Sequence, residues 1–213
     1  MMHGIRGNRL QLLDHARFLF HAGYSVLLFD FQAHGESVGK HITAGYLESR
    51  DAAAAVDWVR RKFPGEKICV SGFSMGGAAA VLANPPLPVN AMILESVYPT
   101  IEQAVTDRLE IRFGRLGKLG TPFLTWQLKP RLEISRDDLC PIKQVGQIAV
   151  PKFFIAGTLD RDTKLKESED LFAAAAGPKQ LWLVEGAAHV DMHGFAKTEY
   201  ERRVLDFLAQ NLN

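Results

Sequence analysis

The hexapeptide Gly72-Phe73-Ser74-Met75-Gly76-Gly77 separates an apolar run, residues 68–71, from the helix-forming stretch Ala78-Ala79-Ala80-Val81-Leu82-Ala83. A chain that leaves a strand and enters a helix within so few residues must turn sharply. The turn forces its central residue into a strained backbone conformation and crowds the positions two residues to either side. Glycines at 72 and 76 relieve that crowding. The turn also lifts the Ser74 hydroxyl above the C-terminal edge of the sheet, where the first N–H groups of the helix are unpaired and its dipole is positive. A tight turn can hold a serine without chemical purpose. A strand before it and a helix after it point instead to a nucleophile.

Four further runs of strand length lie outward from this one, at residues 25–30, 91–95, 153–156 and 181–184, with residues 68–72 as the fifth. They are continuously apolar rather than alternating, as expected of parallel strands covered on both faces. Helical patterns lie between them. Leu10, Leu13, Arg17 and Phe20 form one stripe, an alanine-rich stretch at 51–59 stops before Pro64-Gly65, and Tyr200, Val204, Phe207, Leu208 and Leu212 recur at helical spacing. The expected fold is α/β, a mostly parallel sheet flanked by helices with right-handed crossovers. Residues 98–147 break the rhythm with helical fragments punctuated by glycine and proline, and a structureless loop of that size does not suit a compact domain. The expected organisation is a core of residues 1–97 and 148–213 with a helical insertion at 98–147. Between Arg108 and Arg131 the basic residues Arg108, Arg112, Arg115, Lys118, Lys129 and Arg131 face Glu110 alone. Such a cluster is either a solvated helical face or an attraction for an anionic substrate or membrane surface.

Composition narrows the function classes. The chain has 213 residues, 47% of them apolar, and its 25 Lys+Arg against 24 Asp+Glu give a net charge of +1. That suits one globular domain with its own core, and the near-neutral balance gives no field for nucleic acid. Two cysteines, Cys69 and Cys140, make no disulfide framework, and Cys69 in its apolar run is expected to be a buried free thiol. No apolar run reaches the roughly 18 residues of a membrane span, and the N-terminus has no signal-peptide core, so the default location is cytoplasmic unless a missing N-terminal segment carries a signal or anchor.

A serine hydroxyl needs a general base, and the base needs an orienting carboxylate. Asp160 follows the strand at 153–156 within Gly157-Thr158-Leu159-Asp160-Arg161-Asp162, and His189 follows the strand at 181–184 within Glu185-Gly186-Ala187-Ala188-His189. The order is Ser, Asp, His, with the last two in loops at strand C-termini. His189 stands out among the histidines because small residues around it let its ring approach the nucleophile, whereas His15 and His21 read as surface residues of the first helix. Asp191 and His193 are its local competitors. Asp162 competes with Asp160 from a position expected to point outward, and Glu95, also at a strand end, is a lesser rival.

His3-Gly4-Ile5-Arg6-Gly7-Asn8, Phe29-Asp30-Phe31-Gln32-Ala33-His34-Gly35-Glu36-Ser37, the turn at Ser74, and the loops at 157–160 and 186–189 together resemble the serine hydrolases of the α/β-hydrolase superfamily. The likeness is strongest to the BEM46-like group with its ABHD-type relatives, and it runs from His3 to the C-terminus. The resemblance implies an α/β-hydrolase fold with a helical cap at 98–147 roofing an acyl pocket. It implies a triad of Ser74, Asp160 and His189, and an oxyanion hole from the backbone N–H groups of Ile5 and Met75. It makes residues 30–37 a structural loop, with Ala33 where glycine is common and His34 structural. The implied chemistry is two-step acyl transfer on an ester, thioester or amide, without metal or cofactor. The expected partners are a small acyl substrate and, through the basic cap, a membrane surface. Serine rather than aspartate at the turn argues against dehalogenase or epoxide-hydrolase chemistry, and nucleotide-binding glycine motifs are absent from the sequence. Phe123, Leu124, Trp126 and Leu128 are expected either to line the acyl site or to form the insertion's own core.

In the family a third strand lies inside the sheet ahead of the His-Gly motif, with two more before it, but only Met1 and Met2 precede His3. About 25 further residues would be needed to build three strands with their turns. The expectation is that these N-terminal strands are missing, Met1 being an internal methionine of a longer chain. Residues 25–30 would then lose a ladder partner, at about 1–3 kcal/mol for each unpaired buried group. A truncated, noncatalytic α/β-hydrolase-like module is the alternative function.

Overall fold

The computed structural model describes residues 1–212. Among them the sheet has four strands, β1 (Cys69–Phe73), β2 (Ala91–Glu95), β3 (Lys152–Gly157) and β4 (Lys179–Val184), all parallel and in sequence order. The helices are α1 (Leu13–His21), α2 (Glu48–Lys62), α3 (Met75–Leu82), α4 (Ile101–Phe113), α5 (Thr121–Trp126), α6 (Leu128–Leu132), α7 (Pro141–Gln144), α8 (Leu165–Ala174), α9 (Met192–Phe195) and α10 (Lys197–Leu212). Because side chains alternate along a strand, each strand feeds two layers. Val70, Met92, Leu94 and Phe154 pack with Val56 of α2, the alanines of α3 and Leu171 of α8. On the other face Ile93, Phe153, Ile155 and Val184 pack against Leu19 of α1 and Tyr200, Val204 and Phe207 of α10. β2 and β3 are buried along their whole length, which is why their sequences read as unbroken apolar runs.

The register pairs Phe73 with Glu95 and Gly157 with Val184, so the strands finish together at one edge. The residues just beyond β1, β3 and β4 therefore emerge side by side. Between β2 and β3 the regular elements are helical, α4 to α7 with short 3-10 turns. A small core of Ile101, Ile134 and Leu139, joined by Leu128, seats these helices. No described helix is long and apolar enough to cross a membrane.

Three expectations are corrected. Residues 25–30 form no strand and join no ladder among the described residues. The free edge of β1 is met only at its top, where Met2 bridges Gly72 by donating to Ser71 O (2.8 Å) and accepting from Phe73 N–H (3.1 Å), while the Met1 amine donates to Leu27 O (2.8 Å). Below that point Tyr24, Ser25, Val26 and Leu27 line a groove of about 420 Å3 together with Ile68, Cys69 and Val70, and the two segments form no ladder. Cys69 lines that groove and is only half-buried, whereas Cys140 is the buried free thiol. On α1 the buried face is Leu12, His15 and Leu19, not the stripe of Leu10, Leu13 and Phe20, whose members are exposed. Both sets recur at helical spacing, and only the face of Leu12, His15 and Leu19 turns toward α10 and its neighbours.

Candidate active site

Ser74 sits at φ 51° and ψ −117° between β1 and α3. A non-glycine residue there carries strain of order 1–3 kcal/mol, which the surroundings must hold in place. Its N–H donates to Glu95 O at 2.8 Å, tying the turn to the neighbouring strand end. A Cβ at Gly72 would lie 2.5 Å from Gly77 N, and one at Gly76 would lie 2.4 Å from Met2 O. Neither position has room for a side chain, as the sequence pattern requires. Met75 opens α3, so its N–H belongs to the first turn, which has no intrahelical acceptor.

His189 and Asp160 arrive from the neighbouring strand ends. His189 Nε2 lies 3.2 Å from Ser74 Oγ, and its Nδ1 lies 2.8 Å from Asp160 Oδ2. A carboxylate only accepts, so Nδ1 carries the proton and Nε2 is left as the acceptor facing the serine. Asp160 is buried, and its other oxygen accepts the N–H groups of Asp162 and Thr163, each at 2.9 Å. The Thr163 hydroxyl donates to Ser96 O at 3.2 Å, which anchors this loop to the end of β2. Thr163 is a contributor that the sequence pattern missed, since nothing local marks it.

The segment around Ile5 rests on the same turn. His3 is fully buried; Phe31 N–H donates to its Nε2 at 3.2 Å, so Nδ1 is the protonated nitrogen and donates to Gly4 O at 2.8 Å. Burial holds the His3 pKa below its usual value, in keeping with a neutral ring. Gly7 N–H closes a turn on Gly4 O at 3.1 Å, and Ile5 lies in that turn, partly exposed. Ala33 takes φ 56°, which accounts for glycine being common there.

The rivals are engaged elsewhere. Asp162 pairs with Arg108 at 3.4 Å. Glu95 is buried, accepts the Tyr200 hydroxyl, and is pushed up to about 7 by burial. Asp191 caps α9 through His193 N–H and lies 3.3 Å from His15 Nε2, while His193 Nε2 meets Glu201 at 2.8 Å. His34 is buried with Nδ1 on Gln32 O. His15, expected at the surface, is buried against the rings of His193 (4.8 Å) and Tyr200 (5.4 Å), because the helix face that carries it is the inward one. Among the described residues, the donor atoms nearest to a metal-ligand set belong to His15, Asp191 and His193, within 4.8 Å of one another. Asp191 Oδ1 already serves both His15 Nε2 and the His193 N–H.

The helices between β2 and β3 are tied to the Asp160 loop. Besides the Arg108–Asp162 pair, Lys164 reaches Asp107 at 2.6 Å and Glu110 at 2.9 Å. Asp107 is buried, and burial together with its charge pushes Glu167 up to about 8. Phe123, Leu124 and Trp126 form no core of the insertion: they are exposed, and only Leu128 joins the small cluster around Ile101.

Residues 1–138 match the serine aminopeptidase S33 family. The chain is 25% identical over 215 residues to the protein YqkD of Bacillus subtilis, covering 99% of this chain and 70% of that one. It is 29% identical over 190 residues to Rv2307c of Mycobacterium tuberculosis, covering 88% of this chain and 61% of the relative. The α/β hydrolase domain-containing protein WAV2 of Arabidopsis thaliana is 28% identical, with 86% and 60% covered. The chain thus spans about 60 to 70% of the length of these relatives. Among solved structures the esterase Pf2001 of Pyrococcus furiosus superposes with a TM-score of 0.81 at 27% identity, covering all of this chain and 80% of that one.

Proposed function

We propose that this chain, which belongs to the serine aminopeptidase S33 family of the α/β-hydrolase superfamily, hydrolyses small carboxylic esters through an acyl-enzyme on Ser74. The observation that carries the reading is the unbroken hydrogen-bonded chain from Ser74 Oγ through His189 to Asp160, assembled from three strand ends. His189 Nε2 takes the hydroxyl proton as Ser74 Oγ attacks the carbonyl carbon, and Asp160 holds the imidazolium that forms. The backbone N–H groups of Ile5 and Met75 are the proposed donors to the oxyanion, each worth about 2.7–4 kcal/mol in such sites. The proton then passes to the leaving oxygen as the C–O bond breaks. Water, deprotonated by the same histidine, releases the acid and returns the proton to Ser74. The likeness to an esterase at 27% identity supports an ester over a thioester or amide substrate.

Labelling with a fluorophosphonate probe tests the reading. The expected result is one adduct on the peptide bearing Ser74, lost in Ser74→Ala and retained in Ser168→Ala. Well-folded protein that takes no label would support a noncatalytic module instead. Turnover of nitrophenyl esters of graded acyl length then measures the pocket.

A further inference from the structure

The helices between β2 and β3 end in a tip, residues 111–126, whose surface inverts the usual order. In α5 the buried side chains are Thr121 and Thr125, while Phe123 is 65% and Trp126 68% exposed. The threonines are held inward by hydrogen bonds, Thr121 Oγ1 with Thr106 Oγ1 at 2.9 Å and Thr125 Oγ1 to Thr121 O at 2.9 Å. Ile111, Phe113, Leu116 (76%) and Leu119 are exposed beside them. The tip is firmly built: a Cβ at Gly117 would lie 2.2 Å from Leu109 O, so its 3-10 turn lies directly on α4. The apolar side chains are thus presented outward by a fixed backbone.

Arg112, Arg115, Lys118, Lys129 and Arg131 are exposed on the same segment, with no acidic residue from 111 to 132. The Arg112 guanidinium lies over the Phe113 ring at 6.0 Å. We infer that this tip is a docking surface for an anionic lipid bilayer, its aromatic and leucine side chains entering the headgroup boundary and its cations meeting lipid phosphates. Aromatic and leucine residues interleaved with Lys and Arg are the composition that partitions into such an interface. A second copy of the chain fits less well, since a two-fold contact sets the same patch against itself and would oppose like charges. The tip begins close to the candidate site: α4 pairs with Asp162 through Arg108, and Phe113 lies five residues on, roughly 7 Å along the axis.

Co-sedimentation of the full chain with vesicles tests the inference independently of the chemistry, because Ser74→Ala is expected to bind like the parent. Binding is expected to vesicles of equal phosphatidylglycerol and phosphatidylcholine, to weaken with added salt, and to be absent on phosphatidylcholine alone. Trp126 emission is expected to shift blue on binding, a change lost in Trp126→Phe. Arg115→Ala and Lys118→Ala are each expected to weaken binding about fivefold. Phe123→Ser with Trp126→Ser is expected to abolish binding with the melting temperature unchanged. No binding to the anionic vesicles would overturn the inference. So would binding untouched by these tip substitutions, or a dimer that buries Trp126 while vesicles are ignored.

Discussion

Helices α10 and α5 obey the same periodicity and face opposite ways. α10 turns Tyr200, Val204, Phe207 and Leu208 onto the sheet, with charged residues such as Arg202 and Asp206 outward. α5 turns Thr121 and Thr125 inward and leaves Phe123 and Trp126 to the outside. Spacing defines a stripe, but the neighbours decide whether that stripe is covered. α10 lies over Ile93, Phe153 and Ile155, a wide apolar surface. α5 meets the flank of α4, where the Thr106 hydroxyl offers a polar partner. The sheet side of the molecule is therefore built to be stable and to hold a strained turn, and the tip is built to present apolar surface.

Substitutions on the two sides should separate accordingly. The largest effect belongs to the strand ends: Asp160→Asn is expected to lower ester turnover about ten-thousandfold, by freeing His189 to adopt the wrong tautomer, while stability changes little. Equal turnover in parent and variant would remove Asp160 from the proposed mechanism. Next comes packing. Phe207→Ala on α10 is expected to cost about 3–5 kcal/mol in urea unfolding, since the ring is buried against Phe153.

A pH-dependent effect of at most about 3 kcal/mol is expected at Glu95, whose carboxyl is raised from 4.5 to about 7 by burial. Between those values the folded state keeps a proton that the unfolded state has lost, so this group's contribution to stability falls as pH rises through the window. His15, lowered from 6.5 to about 4 by burial, acts in the opposite sense over nearly the same range, and the parent's curve is correspondingly flattened. The comparison with Glu95→Gln isolates the carboxyl. The variant's stability relative to the parent should climb from about pH 5 to above pH 7, and a pH-independent difference would rule out a buried titrating Glu95.

The smallest effect is expected at the tip. Phe123→Ser on α5 is expected to change unfolding free energy by no more than about 0.5 kcal/mol, because the ring is exposed. A loss comparable to that of Phe207→Ala would show that the tip is covered in solution.

Much of this was legible in the chain. The strands at 69–73, 91–95, 152–157 and 179–184, the turn at Ser74 and the Ser, Asp, His order depend on short stretches whose chemistry is local. Misreadings came where two local patterns competed. On α1, Leu10, Leu13 and Phe20 outscore Leu12, His15 and Leu19 in hydrophobicity, yet the second set faces inward, carrying a histidine into a layer of His193 and Tyr200. Residues 25–30 read as a strand from composition, and among the described residues they pair with none, as expected of a strand that has lost its N-terminal neighbours.

Local stereochemistry and patterning set where the backbone must turn sharply, which continuously apolar runs form a parallel sheet, and that a serine, an aspartate and a histidine follow strand ends. These rest on sterics and periodicity within a few residues. The tertiary fold alone brings Asp160 rather than Asp162 to His189, because the loop folds Asp160 inward onto two N–H groups and Arg108 pairs with Asp162. It alone decided that the apolar side chains of the insertion face outward, because burial depends on residues remote in sequence that happen to lie alongside.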